Sequence, residues 1–128
     1  MSVDWKQLET FSFGDSPELA DRLLGFVISG TKRATCWSIT DGQQTEVGKL
    51  MVALDGRGNP RAILETVTLE QRRFCDVDLQ FAINEGEGDK TLDDWRSGHR
   101  AYFERSGGFD PEMMLWCERF RLVQVIEQ

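Results

Sequence analysis

The apolar positions of the chain follow two different rhythms. Between Pro17 and Ser29, Leu19, Leu23, Leu24 and Val27 recur at helical spacing while Asp21 and Arg22 take the opposite side, which predicts an amphipathic helix with its apolar face on a core. Its ends are marked too. Ser16 is suited to cap the first turn, Pro17 sits where no backbone N–H is needed, Glu18 favours the positive end of the helix dipole, and Gly30 supplies a stop. A second helical rhythm runs through Trp95, His99, Tyr102 and Phe103, opened by Thr91 with Asp94 three residues on and closed by Gly107 and Gly108. A short helix is predicted over Asp78 to Ile83, followed by a loop through Glu85, Gly86, Glu87, Gly88 and Asp89.

The other rhythm is that of strands. Thr31 to Ser38 lacks helical periodicity and leads into one. Lys49 to Leu54 and Arg61 to Thr68 are β-rich runs joined by the turn sequence from Asp55 to Pro60, and they predict an antiparallel hairpin. Met114, Trp116, Phe120, Leu122 and Ile126 share one parity, which predicts a long final strand over Met113 to Ile126. The order of elements suggests an α+β fold with a mainly antiparallel sheet that can curl into a small barrel. Without repeats or linkers, the 128 residues are expected to make one domain, with its core at about residues 17–126.

Composition narrows the function. Apolar residues at 40% and charged residues at 29% are the balance of a folded globular chain. No apolar run approaches the roughly 20 residues that span a bilayer, and Met1 to Glu9 carries neither a basic patch nor a hydrophobic core, so no membrane association is expected. Cys36, Cys75 and Cys117 are odd in number and set among apolar residues, as suits reduced thiols and a cytoplasmic location. A net charge of -7 argues against duplex DNA as a partner. Residues 28–75 nevertheless hold seven Lys or Arg against five acids, leaving -9 for the remainder, so a small anionic or nucleotide-sized ligand fits better than a long phosphate track.

Several short segments together resemble a known family. Gly30-Thr31-Lys32-Arg33-Ala34-Thr35 after a helix, Glu85-Gly86-Glu87-Gly88-Asp89, Trp95-Arg96-Ser97-Gly98-His99, and Glu118-Arg119-Phe120 near the C-terminus look like the ASCH domain family of the PUA-like superfamily. The resemblance implies a small curled, mainly antiparallel β-barrel flanked by helices, with a cleft between barrel and helices, and a link to RNA metabolism. One branch of the family hydrolyses the acetyl amide of N4-acetylcytidine with a Lys, a Thr three residues later and a downstream Glu. Lys32 and Thr35 keep the Lys-x-x-Thr pattern, and Ala82-Ile83-Asn84-Glu85 resembles the setting of the glutamate, with Glu87 as its competitor.

Amide hydrolysis needs a nucleophile, a base and an acid, and the expected assignment is Thr35, Lys32 and Glu85. Lys32 serves as a base if burial or the neighbouring Arg33 lowers its pKa. As an exposed lysine, it is expected to matter little to folding. No cofactor is required. Trp37 either stacks on a base or packs in the core, and His99 is structural or positions the substrate, with Arg33 and Glu87 as further substrate-binding candidates. Simpler roles compete, since Lys32 also suits a helix C-terminus, Thr35 a strand, and the acids a helix start. Two RNA alternatives remain: a ribonuclease cutting single-stranded RNA with a divalent metal ion on Glu85, Glu87 and Asp89, and a non-catalytic RNA-binding module.

Overall fold

A computed structural model of the chain describes residues 4–88 and 91–126. The first helix, α1 (Pro17–Ser29), has the expected ends: Ser16 Oγ accepts from the Leu19 amide, and Gly30 closes the helix at φ 89°, where a Cβ would be strained. Asp78 caps α2 (Leu79–Glu85), and Thr91 caps α3 (Leu92–Ser106) by accepting from the Asp94 amide. Each such cap is worth about 1 kcal/mol.

Five strands, β1 (Glu9–Ser12), β2 (Ala34–Ser38), β3 (Leu50–Leu54), β4 (Pro60–Arg73) and β5 (Met114–Val125), form one curled sheet in the order β1-β3-β4-β5-β2. All neighbours are antiparallel except β1 and β3, so the sheet is a mixed half-barrel with β1 and β2 at its edges. The hairpin of β3 and β4 lies where the sequence puts it. On one face, Leu23, Leu24 and Val27 of α1 cover Ala53, Ala62, Leu64 and Phe120. On the other, α2 and α3 bring Phe81, Ala82, Trp95 and Phe103 onto Ala34, Leu115 and Cys117.

Several expectations change in detail. The N-terminal strand β1 is an added element, announced only by Phe11 and Phe13 alternating with polar neighbours. β4 runs on past Thr68 to Arg73, because its polar end pairs with β5 even where it packs little apolar surface. The inward parity of β5 does not hold along its length: Leu115 and Cys117 are buried at its start, and Phe120 and Ile126 later. Helices cover opposite faces of this strand, so residues of either parity meet a core. Finally, α2 continues to Glu85, making that glutamate a helical residue rather than part of a loop, and Cys75 is exposed, unlike buried Cys117.

Candidate active site

The segment between α1 and β2 is tied at both ends. Thr31 and Lys32 donate their amides to Phe26 O at the end of α1, the Arg33 amide donates to Asn84 O of α2 at 2.6 Å, and Arg33 O accepts from the Phe120 amide of β5. Gly86 makes this approach possible. At φ 62°, a Cβ there would stand 1.9 Å from Thr31 O, so α2 can end against the Lys32 segment only on a glycine. Lys32 is thereby carried inward at 2% exposure, next to Glu85 at 1%.

The Lys32 ammonium donates to Ala34 O at 2.8 Å and Glu87 Oε2 at 2.7 Å, and shares its remaining reach between Glu85 O at 3.3 Å and Glu85 Oε2 at 3.4 Å. Glu85 is the hub. Its Oε1 accepts from Trp95 Nε1 at 3.1 Å and from the Cys36 thiol at 3.3 Å, and its Oε2 faces His99 Nε2 at 3.3 Å as well as Lys32. His99 Nδ1 meets Trp95 O at 3.0 Å. Both partners of this imidazole, a carbonyl and a carboxylate, can only accept, so the geometry calls for a proton on each ring nitrogen and a charged ring. That ring lies stacked on Trp95 with centroids 4.2 Å apart.

The pKa directions follow from these contacts. Burial alone would push Lys32 down, yet the charges of Glu85 and Glu87 outweigh it and hold the lysine above its ordinary value. This overturns the expected depression: Arg33 is exposed, with Nε on Gly30 O, and lends no charge to the lysine. The expectation of an exposed, dispensable Lys32 falls with it. Glu85 is driven up by burial but is held well below the carboxylate range by Lys32 and His99. Glu87 is raised, through burial and the neighbouring charge of Glu85 despite Lys32. Burial would lower His99, but Glu85 raises it, and burial keeps the Cys36 thiol protonated well above its normal range.

A cavity of about 240 Å³ opens over this cluster, with Lys32, Thr35, Cys36, Glu85, Glu87 and His99 in its wall. A second, of about 250 Å³, adjoins it and shares Thr35, Cys36, Phe13 and Tyr102. Trp37 lines this second cavity, its Nε1 donating to Gly42 O at 2.8 Å. Of the candidates from the sequence, Lys32, Thr35, Glu85, Glu87 and His99 therefore share one cavity, Trp37 stands at its neighbour, and Arg33 points away. Asp89 lies outside the described residues. Its companions Glu85 and Glu87 both turn toward the Lys32 ammonium. Cys36, Glu85 and His99 offer ligand atoms within 4.8 Å of one another, although the thiol and the imidazole would have to surrender protons to hold a metal ion. The sequence reasoning missed Cys36 and Trp95 as partners of Glu85, and Glu118 in the second cavity. Their signal was the strand and helix register that aligns them.

A curled mixed sheet with its cleft roofed by helices defines the α+β, PUA-like class of fold. More narrowly, a family model for the ASCH domain matches residues 9–124, and the chain belongs to the ASCH domain family. It is similar to the crystal structure of protein EF3133 from Enterococcus faecalis V583, at 34% identity and a TM-score of 0.81 over 91% of this chain and 77% of that one. It is also similar to an ASCH domain from Lactobacillus crispatus JV V101, at 29% identity and a TM-score of 0.83 over 93% of this chain and 81% of that one. An ASCH protein of Zymomonas mobilis shares the fold at 13% identity, with a TM-score of 0.57 over 93% of this chain and 73% of that one. No curated protein matches the sequence. Among the described residues, no helix is long and apolar enough to cross a membrane.

Proposed function

We propose that this ASCH domain is a cytoplasmic hydrolase of a modified pyrimidine nucleoside or base, cleaving an amide on the exocyclic nitrogen as in N4-acetylcytidine. The observation that carries it is the Lys32 ammonium held between Glu85 and Glu87 at the floor of a cavity that has Thr35 in its wall. This arrangement redistributes the roles expected from the sequence. Glu85 already accepts from four groups and stays ionised, so it anchors Lys32 and His99. Glu87, with its raised pKa, is the carboxyl suited to carry a proton.

In the first step, Thr35 Oγ1 bonds to the acyl carbon and its proton passes to Glu87. Neutralised, Glu87 loosens its hold on Lys32, and the ammonium is left to stabilise the new oxyanion. Collapse of this adduct breaks the C–N bond, with the proton of Glu87 going to the departing nitrogen. Water then attacks the acyl-threonine, gives a proton to Glu87, and threonine leaves with that proton restored to its oxygen. Neither a cofactor nor an added metal ion enters these steps.

The direct test is incubation of the purified protein with N4-acetylcytidine, and separately with single-stranded RNA, each with and without a chelator. Release of cytidine and acetate that survives the chelator is the expected result. RNA cleavage abolished by the chelator would instead favour a metal-dependent ribonuclease, and RNA binding without turnover a binding module.

A further inference from the structure

The second cavity holds a carboxylate that the proposed chemistry does not use. Glu118 of β5 stands directly opposite Thr35 of β2 in the sheet ladder, which places both side chains on the same face. Its Oε2 accepts from Thr66 Oγ1 at 2.7 Å, and Thr45 Oγ1 lies 2.7 Å from Thr66 Oγ1. Thr66 spends its only hydroxyl proton on Glu118, so Thr45 must donate to Thr66, and the chain of hydroxyls runs one way, from Thr45 through Thr66 to Glu118. Both threonines are buried. Glu118 is half-buried, and among the described residues its other carboxylate oxygen, Oε1, has no hydrogen bond and no ion pair. The cavity around it has aromatic walls from Phe11, Trp37 and Tyr102.

We infer that Glu118 is the specificity-determining residue of the site, its free oxygen accepting an N–H from a planar nitrogen heterocycle that lies in the second cavity while its reacting group reaches Thr35. The inference rests on the nucleoside reading above for the class of ligand, and it adds which edge of the base is read. A flat ring suits the aromatic walls. An acceptor fixed by two buried hydroxyls favours an amino group and disfavours a carbonyl, because two acceptors facing one another leave both unpaired. Burial holds the pKa of Glu118 above its ordinary value, while the Thr66 hydrogen bond and the Lys32 charge pull toward the acceptor form.

The test is calorimetric binding of cytidine, uridine and N4,N4-dimethylcytidine, which lacks the amino N–H, to the intact protein and to Glu118→Gln. Cytidine is expected to bind about ten- to hundredfold more tightly than the dimethyl analogue, the value of one hydrogen bond to a charged acceptor. In Glu118→Gln the amide oxygen must stay on the Thr66 donor, which turns the NH₂ into the cavity, so the preference should invert toward uridine. Equal binding of cytidine and its dimethyl analogue, or no nucleoside binding at all, overturns the inference without any variant. So does an unchanged ranking in a folded Glu118→Gln. The cytidine preference without hydrolysis of N4-acetylcytidine would sink the hydrolase proposal and leave this one standing. Hydrolysis with no preference among the three nucleosides would do the reverse.

Discussion

Glu85 and Glu118 are two carboxylates beside one cleft, yet the protein treats them in opposite ways. Glu85 is ringed by Lys32, His99, the Trp95 indole and the Cys36 thiol, and both its oxygens are spoken for. Glu118 receives one hydroxyl on one oxygen and keeps the other open. The difference separates two uses of a carboxylate, one fully buried and one half-buried. A saturated carboxylate fixes its neighbours and is poor at exchanging protons, whereas a half-satisfied one has capacity left for a ligand. Glu87 lies between them, paired with Lys32 but still part-exposed.

The sharpest way to break this contrast is Lys32→Ala. It leaves Glu85 and Glu87 facing each other without their shared cation, and the expected cost is about 3–5 kcal/mol in urea unfolding. A loss below about 1 kcal/mol would mean that Glu85 is not the structural hub described here. Next in size is Glu87→Gln, which should lower hydrolysis of N4-acetylcytidine by at least about a hundredfold. Stability should hold or rise slightly, because a carboxyl with a raised pKa is destabilised by ionising and the amide stays neutral. Equal losses of stability and turnover would assign Glu87 to the scaffold.

The pH dependence sharpens the same comparison. His99 is raised above 6.5, so the folded state holds its proton more tightly than the unfolded chain does. Its contribution is complete below about pH 6.5 and is lost as pH rises through the folded value. Glu85 runs the other way: lowered from 4.5, its contribution is present above that value and disappears only in stronger acid. Unfolding free energy should therefore decline above neutral pH, a trend that His99→Gln should flatten. A wild-type profile already flat from pH 6 to 8 would contradict the charged imidazole. The smallest expected effect is Thr66→Val, at about 1 kcal/mol, for one hydrogen bond lost at Glu118. Carboxyl titration by NMR should show Glu118 rising further without that donor. No change there would detach Thr66 from Glu118.

Much of the frame was legible because it is written locally. Ser16, Pro17 and Gly30 bound α1, Thr91 opens α3, and the turn from Asp55 to Pro60 sets the hairpin, all from residues within a few positions of one another. The Lys-x-x-Thr segment and the acids around Glu85, singled out in the sequence, line one cavity in the structure. Protonation roles were not legible. The state of Lys32 depends on carboxylates 53 and 55 residues away, and nothing near it in sequence reports them. The stacking of His99 on Trp95 follows from their helical spacing, but the proton on each nitrogen needed Glu85 in place. Glu118 was visible only as part of a family pattern, since its pairing with Thr35 is a matter of strand register.

The strand order also bears on how the molecule comes into being during synthesis. β5 is made long after β2, yet it lies between β4 and β2, and among the described residues β2 has no other partner in the sheet. A nascent chain can form α1 and the β3–β4 hairpin early, because those contacts are local. Lys32 and Thr35 must wait on an unpaired segment while about 80 further residues are made, which takes seconds at translation rates. The cleft is then completed in one closing event, when Leu115 to Arg119 zip onto Ala34 to Ser38. Ligand binding should accordingly be absent from any nascent chain that has not yet made β5, and should appear at once when that strand pairs with β2.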